Sequence, residues 1–264
     1  MSERTPWALV LGASSGFGGA ACKALAKAGM NVIGVHLDRK ATQPLADEVQ
    51  EAVRAAGREA LFFNKDASKD ENRAEILAGI EEKFAGGGHT VRVLLHSIAF
   101  GTLKPFIHDD PKQRIDRKSL DMTLDIMANS LVYWTQDLLA RGFMHDGARI
   151  FAMTSAGSHR VWTSYGAVSA AKAALESHCR QLALELAPRG ITANAIQAGV
   201  TDTPALRKIP GNEGMLERAK GMNPTGRLTT PEDVAAAVVA LSGRDLSFLT
   251  GNTIKIDGGE DNVS

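Results

Sequence analysis

The sequence predicts an α/β architecture: a doubly wound parallel sheet of about seven strands with helices on both faces. Three observations carry this. Short apolar runs alternate with longer amphipathic segments along the chain, the pattern of strands joined by crossover helices. The apolar runs hold few polar positions, as strands covered on both faces require. The first run leads straight into a glycine-rich turn and then a helix.

Taken in order, the predicted strands are Trp7–Leu11, Asn31–His36, Glu59–Asn64, Val91–Ser97, Ala148–Thr154, Ile191–Ile196 and Thr253–Ile256. Helical patterns lie between them at Phe17–Ala28, Leu45–Ala56, Lys69–Phe84, Ser119–Gly142, Ser169–Ala187 and Pro231–Leu241. Strict alternation implies parallel strands with right-handed crossovers. The last helix has a clear start, with Thr230 as N-cap, Pro231 at N1, and Glu232 and Asp233 facing the positive helix end. Two segments resist assignment: Lys104–Lys118, charged and proline-punctuated, and Pro204–Gly226, rich in glycine and proline. Long irregular loops in such a sheet usually carry binding function. No repeat, low-complexity tract or linker divides the chain, so residues 1–264 are expected to form a single domain.

Composition narrows the function. Thirty basic residues balance thirty acidic ones, which argues against a nucleic-acid partner. Met1-Ser2-Glu3-Arg4-Thr5-Pro6 is polar and runs into a strand. No apolar run approaches the ~20 residues that a bilayer span needs. No membrane partner and a cytoplasmic location are therefore expected. Cys22 and Cys179 fall in separate helical patterns, so two buried thiols are expected rather than a disulfide. His36, His96, His108, His145, His159 and His178 are scattered without ligand spacing, and no metal site is predicted.

Chemistry begins at Gly12-Ala13-Ser14-Ser15-Gly16-Phe17-Gly18, between the first strand and the first helix. Glycines let the backbone turn sharply and approach a pyrophosphate without a Cβ in the way. The helix N-terminus supplies unpaired N–H groups and partial positive charge. A glycine-rich connection with no ligand is the bland alternative. In this position the ligand reading is preferred.

The spacing is Gly-x3-Gly-x-Gly, not the common Gly-x-Gly-x2-Gly. It resembles the short-chain dehydrogenase/reductase family, and the resemblance covers essentially the whole chain. It implies a Rossmann-like fold and a nicotinamide dinucleotide. Gly12, Ser14, Ser15, Gly16, Phe17 and Gly18 would then surround the pyrophosphate. Asp66 and Ala67, ending the third strand, would meet the adenine, although Asp66 could equally cap a helix. Gly199, Thr201 and Thr203, in the stretch Asn194–Thr203, would hold the nicotinamide amide and phosphates. Asp257-Gly258-Gly259 resembles the family's closing turn.

NAD specificity usually rests on a carboxylate at the second strand's end. His36 stands there, with Asp38 two residues on. Arg39 and Lys40 could pair with a 2′-phosphate, or simply solvate a helix start. Relatives that use NADP often carry a base in the glycine turn, where this chain has Ser14-Ser15. NADPH is the expected cofactor, with NADH open.

The catalytic candidates are Ser155, Tyr165 and Lys172. Tyr165 precedes Lys172 by seven residues, and Val168 occupies the position four before the lysine. Most family members have Tyr-x3-Lys. Seven residues is nearly two turns, so the hydroxyl shares the lysine's face but is displaced by about 5 Å. In reduction of an α,β-unsaturated thioester, hydride reaches Cβ while charge gathers on an oxygen three bonds away. The donor must then sit farther from the nicotinamide than carbonyl reduction demands. Tyr-x6-Lys provides this and is the signature of enoyl-acyl-carrier-protein reductases. His96-Ser97-Ile98-Ala99-Phe100 resembles the same group, which adds Ser97, Ile98 and Ala99 to the implied cofactor contacts. Gly101-Thr102-Leu103-Lys104-Pro105 and Asn223-Pro224-Thr225-Gly226-Arg227 are similar to its NADPH-using type III branch.

Two departures stand out. Ser155 occupies the position where the best-known enoyl reductases have a second tyrosine, and could bond the thioester oxygen or cap the strand. Met127 stands where the wider family often has an asparagine. The expected activity is NADPH-dependent reduction of a trans-2-enoyl thioester in fatty acid synthesis. A carbonyl (3-oxoacyl or other ketone) reductase and a non-catalytic cofactor-binding regulator are the alternatives. The resemblance implies a homotetramer, with the helices around Leu124–Leu139 and Lys172–Leu186, including Tyr133 and Trp134, at its interface. The segment Pro204–Asn223 is expected to be a mobile lid, its glycines and prolines disfavouring one rigid helix. Its Arg207, Lys208, Arg218 and Lys220 would steer an acidic acyl-carrier protein. His159 is expected to be a surface residue.

Overall fold

The computed structural model describes residues 4–263; Met1, Ser2 and Glu3 of the polar N-terminal stretch lie outside them. Seven strands form one sheet in the order β3-β2-β1-β4-β5-β6-β7. They are β1 (Thr5–Leu11), β2 (Asn31–His36), β3 (Ala60–Asn64), β4 (His89–His96), β5 (Arg149–Ser155), β6 (Thr192–Ala198) and β7 (Thr253–Ile256). Every neighbouring pair is parallel. The order reverses between β1 and β4, where open α/β sheets leave a crevice at the strands' C-terminal ends.

Side-chain alternation along each strand builds two cores. Trp7, Leu9 and Leu11 of β1 face one layer, with Leu131, Trp134, Ala171 and Leu175. Ala8 and Val10 face the other, with Cys22, Leu25, Val49, Val53, Val234 and Val238. The helices carrying these residues are α1 (Gly16–Lys27), α2 (Gln43–Ala55), α5 (Ser130–Ala140), α6 (Gly166–Leu186) and α8 (Pro231–Leu241); α3 (Asp70–Phe84) lies beside α5. Cys22 and Cys179 are free and buried. Thr230 forms a reciprocal capping box with Asp233, and Pro231 opens α8. No helix among the described residues is long and apolar enough to cross a membrane.

Three expectations need correction. The pattern at Ser119–Gly142 is not one regular helix: α4 (Arg117–Leu124) and α5 are joined by a π-helical turn, Asp125–Asn129. A π turn adds one residue without breaking the rod, so the apolar pattern reads through it. The stretch Pro204–Gly226 is not irregular throughout. It contains α7 (Asn212–Met222), started by Gly211 at φ +77° despite Gly214 and Gly221 inside it. Each glycine costs a helix only about 1 kcal/mol. Trp134 is not surface-directed; it is fully buried and its indole donates to the Ala67 carbonyl at 2.9 Å.

Candidate active site

The glycine turn is shaped by contact. A Cβ on Gly12, at φ +92°, would overlap the Ser97 carbonyl oxygen, and one on Gly18 would overlap the Gly12 carbonyl oxygen. The backbones of β1, α1 and the β4 tip therefore meet only without side chains. Ser15 is the extended N-cap of α1 and makes no side-chain cap bond, so the first helical N–H groups are left to an anion. A cavity of about 270 Å³ borders Ser14, Ser15 and Gly16, with Pro204 and Pro231 among its other lining residues. Thr203 touches this turn: a Cβ on Gly16 would lie 3.6 Å from its methyl group. Thr201 bonds back to the Gly199 carbonyl at 2.9 Å. A glycine cradle with free N–H groups and flanking hydroxyls fits a pyrophosphate. Phe17 and Ile98 contribute mainly packing, each set against one of the two cores, and Ala99 is exposed.

At the β2 tip the sequence gives little warning of the arrangement. The His36 ring lies 2.8 Å from the Asp38 carboxylate. Burial works to raise the Asp38 pKa, but hydrogen bonds from Thr42, Ser14 and His36 bring it below the usual carboxylate range. Asn64, ending β3, bonds both the N–H and the C=O of Asp38 at 2.9 and 3.0 Å. Arg39 and Lys40 are exposed. Asp66 accepts from the Ser68 N–H and hydroxyl at 3.0 and 2.6 Å, the local turn that a residue after a strand commonly makes.

Ser155 and Tyr165 meet beyond β5, and Lys172 lies on α6, the helix that follows Tyr165. Ser155 ends the strand and its Oγ accepts from the Gly157 N–H at 3.2 Å. Burial pushes the Tyr165 pKa up, opposed by a hydrogen bond with Ser155. A Cβ on Gly157 would lie 2.6 Å from the Tyr165 ring, so only glycine lets the ring approach. Lys172 is buried on α6 and donates to the Met153 carbonyl at 2.6 Å. Burial lowers its pKa from 10.5 to about 8, and Glu176 one turn on opposes the shift. The Glu176 carboxylate is held by Thr154 Oγ1 at 2.7 Å.

Around this centre the site has an apolar rim. The Phe106 ring packs against Gly166, and Trp162 donates to the Pro210 carbonyl at 3.1 Å. His159 is exposed, as expected of a surface residue, and its Nε2 lies 3.0 Å from Asp261, which also binds Arg160, Lys255 and Gln197. The C-terminal turn thus anchors the loop that precedes Tyr165. Arg207 forms a two-point ion pair with Asp202 at 2.7 and 2.9 Å, so the basic bias expected of the lid is smaller than its own residues imply. No cluster of metal-ligating side chains occurs among the described residues.

Comparison with known proteins identifies the family. Residues 12–260 match the family described as Enoyl-(Acyl carrier protein) reductase. The NADH-dependent enoyl-[acyl-carrier-protein] reductase of Aquifex aeolicus is 31% identical over 83% of this chain and 78% of its own. Its solved structure superposes with a TM-score of 0.82, at 26% identity, over 98% and 96% of the two chains. The 3-oxoacyl-[acyl-carrier-protein] reductase of Pseudomonas aeruginosa is 31% identical over 98% of both chains. The 1-cyclohexenylcarbonyl-CoA reductase of Streptomyces collinus is 27% identical over 98% and 88%. With its parallel seven-stranded sheet, glycine cradle and this family match, the chain belongs to the short-chain dehydrogenase/reductase family of oxidoreductases.

Proposed function

We propose that the protein reduces the C=C bond of a trans-2-enoyl thioester with NADPH. One observation carries the reading: the tyrosine that contacts Ser155 is Tyr165, at the start of the helix bearing the buried lysine, while Val168 fills the position one turn before Lys172. A hydroxyl set back by a turn suits an oxygen three bonds from the carbon that receives hydride. Two of the relatives named above are themselves enoyl thioester reductases.

The glycine cradle would hold the pyrophosphate, Thr201 and Thr203 the nicotinamide end, and Lys172 the ribose hydroxyls. The bound dinucleotide supplies a hydride. Tyr165 donates a hydrogen bond to the thioester oxygen and stabilises the enolate as charge arrives there; Ser155 orients that hydroxyl. Solvent supplies the proton at Cα. The apolar rim of Phe106 and Trp162 receives the acyl chain. Lys208 and Lys220, exposed on the segment that closes over the site, face an acidic carrier protein, and the chain works as a homotetramer in the cytoplasm.

Arg39 and Lys40 support NADPH: both are exposed, and neither side chain makes a hydrogen bond or ion pair among the described residues. NADH is the second reading, favoured by the Asp38 carboxylate against Ser14, which would repel a 2′-phosphate. Carbonyl reduction is favoured by the serine–tyrosine contact and by the 3-oxoacyl relative. Turnover of crotonyl against acetoacetyl thioesters, each with NADPH and NADH, tests all of these. Faster oxidation of NADPH by the crotonyl substrate is expected. Preference for acetoacetyl thioesters overturns the substrate assignment, preference for NADH overturns the cofactor, and binding without turnover of either leaves the regulator.

A further inference from the structure

No side chain of the π turn offers Lys172 a polar partner. Asp125 binds the Tyr133 hydroxyl at 3.1 Å, Asn129 binds His178 at 3.1 Å, and Met127 is apolar and buried. A different polar group is buried here. His96 closes β4 with 0% exposure and pairs in register with Ala152, the residue before the carbonyl that receives Lys172. Its Nε2 lies 2.8 Å from Ser130 Oγ, and that hydroxyl donates to the Ile126 carbonyl of the π turn at 2.8 Å. With the single Ser130 hydroxyl proton committed to the Ile126 carbonyl, the tautomer that completes the chain has the hydrogen on Nε2, donated to Ser130. Nδ1 is then a bare acceptor, buried and without a partner among the described residues. An unmatched buried acceptor costs on the order of 1–3 kcal/mol. The imidazole also lies within electrostatic reach of Lys172.

We propose that His96 is a positioning residue for Lys172: its unprotonated Nδ1 accepts a hydrogen bond relayed from the ammonium group by one water. Ser130, held by the π turn, keeps the ring in the tautomer that can do this. Burial and the lysine charge push the His96 pKa down to about 3, so the ring stays neutral and serves as an acceptor, not as a second charge. The groups that act on Lys172 are the Met153 carbonyl from β5, Glu176 of its own helix, held by Thr154, and His96 from β4. Glu176 opposes the loss of the lysine's proton by charge; His96 does so by a hydrogen bond.

The inference rests on Lys172 as the lysine that binds cofactor, and not on the choice of substrate, so its test uses binding alone. NADPH and NADH titrations by nucleotide fluorescence, between pH 6 and 10, are compared for the unmodified protein, His96→Leu, His96→Asn and Ser130→Ala. Affinity of the unmodified protein should fall as pH rises through about 8, where Lys172 loses its proton. His96→Leu should move that fall downward by roughly one pH unit and weaken binding at pH 8 by about tenfold. His96→Asn, which keeps an acceptor, should restore most of both, and Ser130→Ala should lie between. An unmoved pH curve in His96→Leu overturns the inference, as does a folded His96→Asn no better than leucine. Should His96→Leu fail to fold by circular dichroism, an unmoved curve in Ser130→Ala overturns it. An unmodified protein that binds neither dinucleotide refutes the cofactor reading itself, and this inference with it.

Discussion

At the scale of single residues, Tyr165, Gly157 and Lys172 make separable predictions. Tyr165→Phe removes a hydroxyl that acts on developing charge, so kcat should fall by about 10²-fold or more with cofactor affinity unchanged. Gly157→Ala should reproduce much of that loss, because its Cβ meets the Tyr165 ring at 2.6 Å. Steady-state kinetics with dinucleotide titration check both, and wild-type turnover in Tyr165→Phe would refute the assignment. Lys172 carries a cost. Between pH 8 and its ordinary 10.5 the unfolded chain binds a proton that the folded protein does not, so stability rises with pH across that window. Below pH 8 the buried charge is a penalty of about 3 kcal/mol. Lys172→Met should therefore abolish activity yet raise the thermal midpoint at pH 7, and a lower midpoint would contradict the origin of the shift. The Tyr165–Lys172 spacing is legible because it is local. The His36–Asp38–Ser14 contact and the His96–Ser130 pair are not, since each joins a strand tip to a turn or helix start that it meets only in the fold.

At the scale of elements, the inner strands β1, β2, β4 and β5 are easy to read because both faces are largely buried and most positions are apolar. The π turn was hidden because one inserted residue leaves a helical apolar pattern almost intact. Helix α7 was hidden for a different reason: Gly214 and Gly221 suggest a loop, but space for a Cβ is open at both, so neither marks a turn. The start of α8 was legible to the residue, since Thr230, Pro231 and Asp233 are local signals. Thr230 accepts from the Asp233 N–H, and Arg227 grips the Asp233 carboxylate at 2.6 and 2.8 Å. Thr230→Ala should cost about 1 kcal/mol, measured by urea unfolding, with the cofactor site undisturbed. A loss below a few tenths would show that the ion pair holds the helix start unaided.

At the scale of the molecule, the sheet brings Leu11, His96, Ser155 and Ala198 to one edge although nearly two hundred residues separate the first from the last. Assembly is the property that the sequence expresses least clearly. Leu184 on α6 is 71% exposed and Phe248 is fully exposed, apolar side chains of the kind that a homotetramer would cover. Light scattering at micromolar concentration should give four chains, and a stable monomer would contradict the assembly.

The burial of the two thiols also makes the protein easy to instrument. Cys22 and Cys179 are shielded from solvent, and burial drives both pKa values up, that of Cys179 to about 12. Neither presents a reactive thiolate to a maleimide. A cysteine introduced at Asn262, beside the Asp261 hub that ties down His159 and Arg160, would be the one position to take a dye. Its emission would report movement of the loop leading to Tyr165, with no need to strip the native cysteines first.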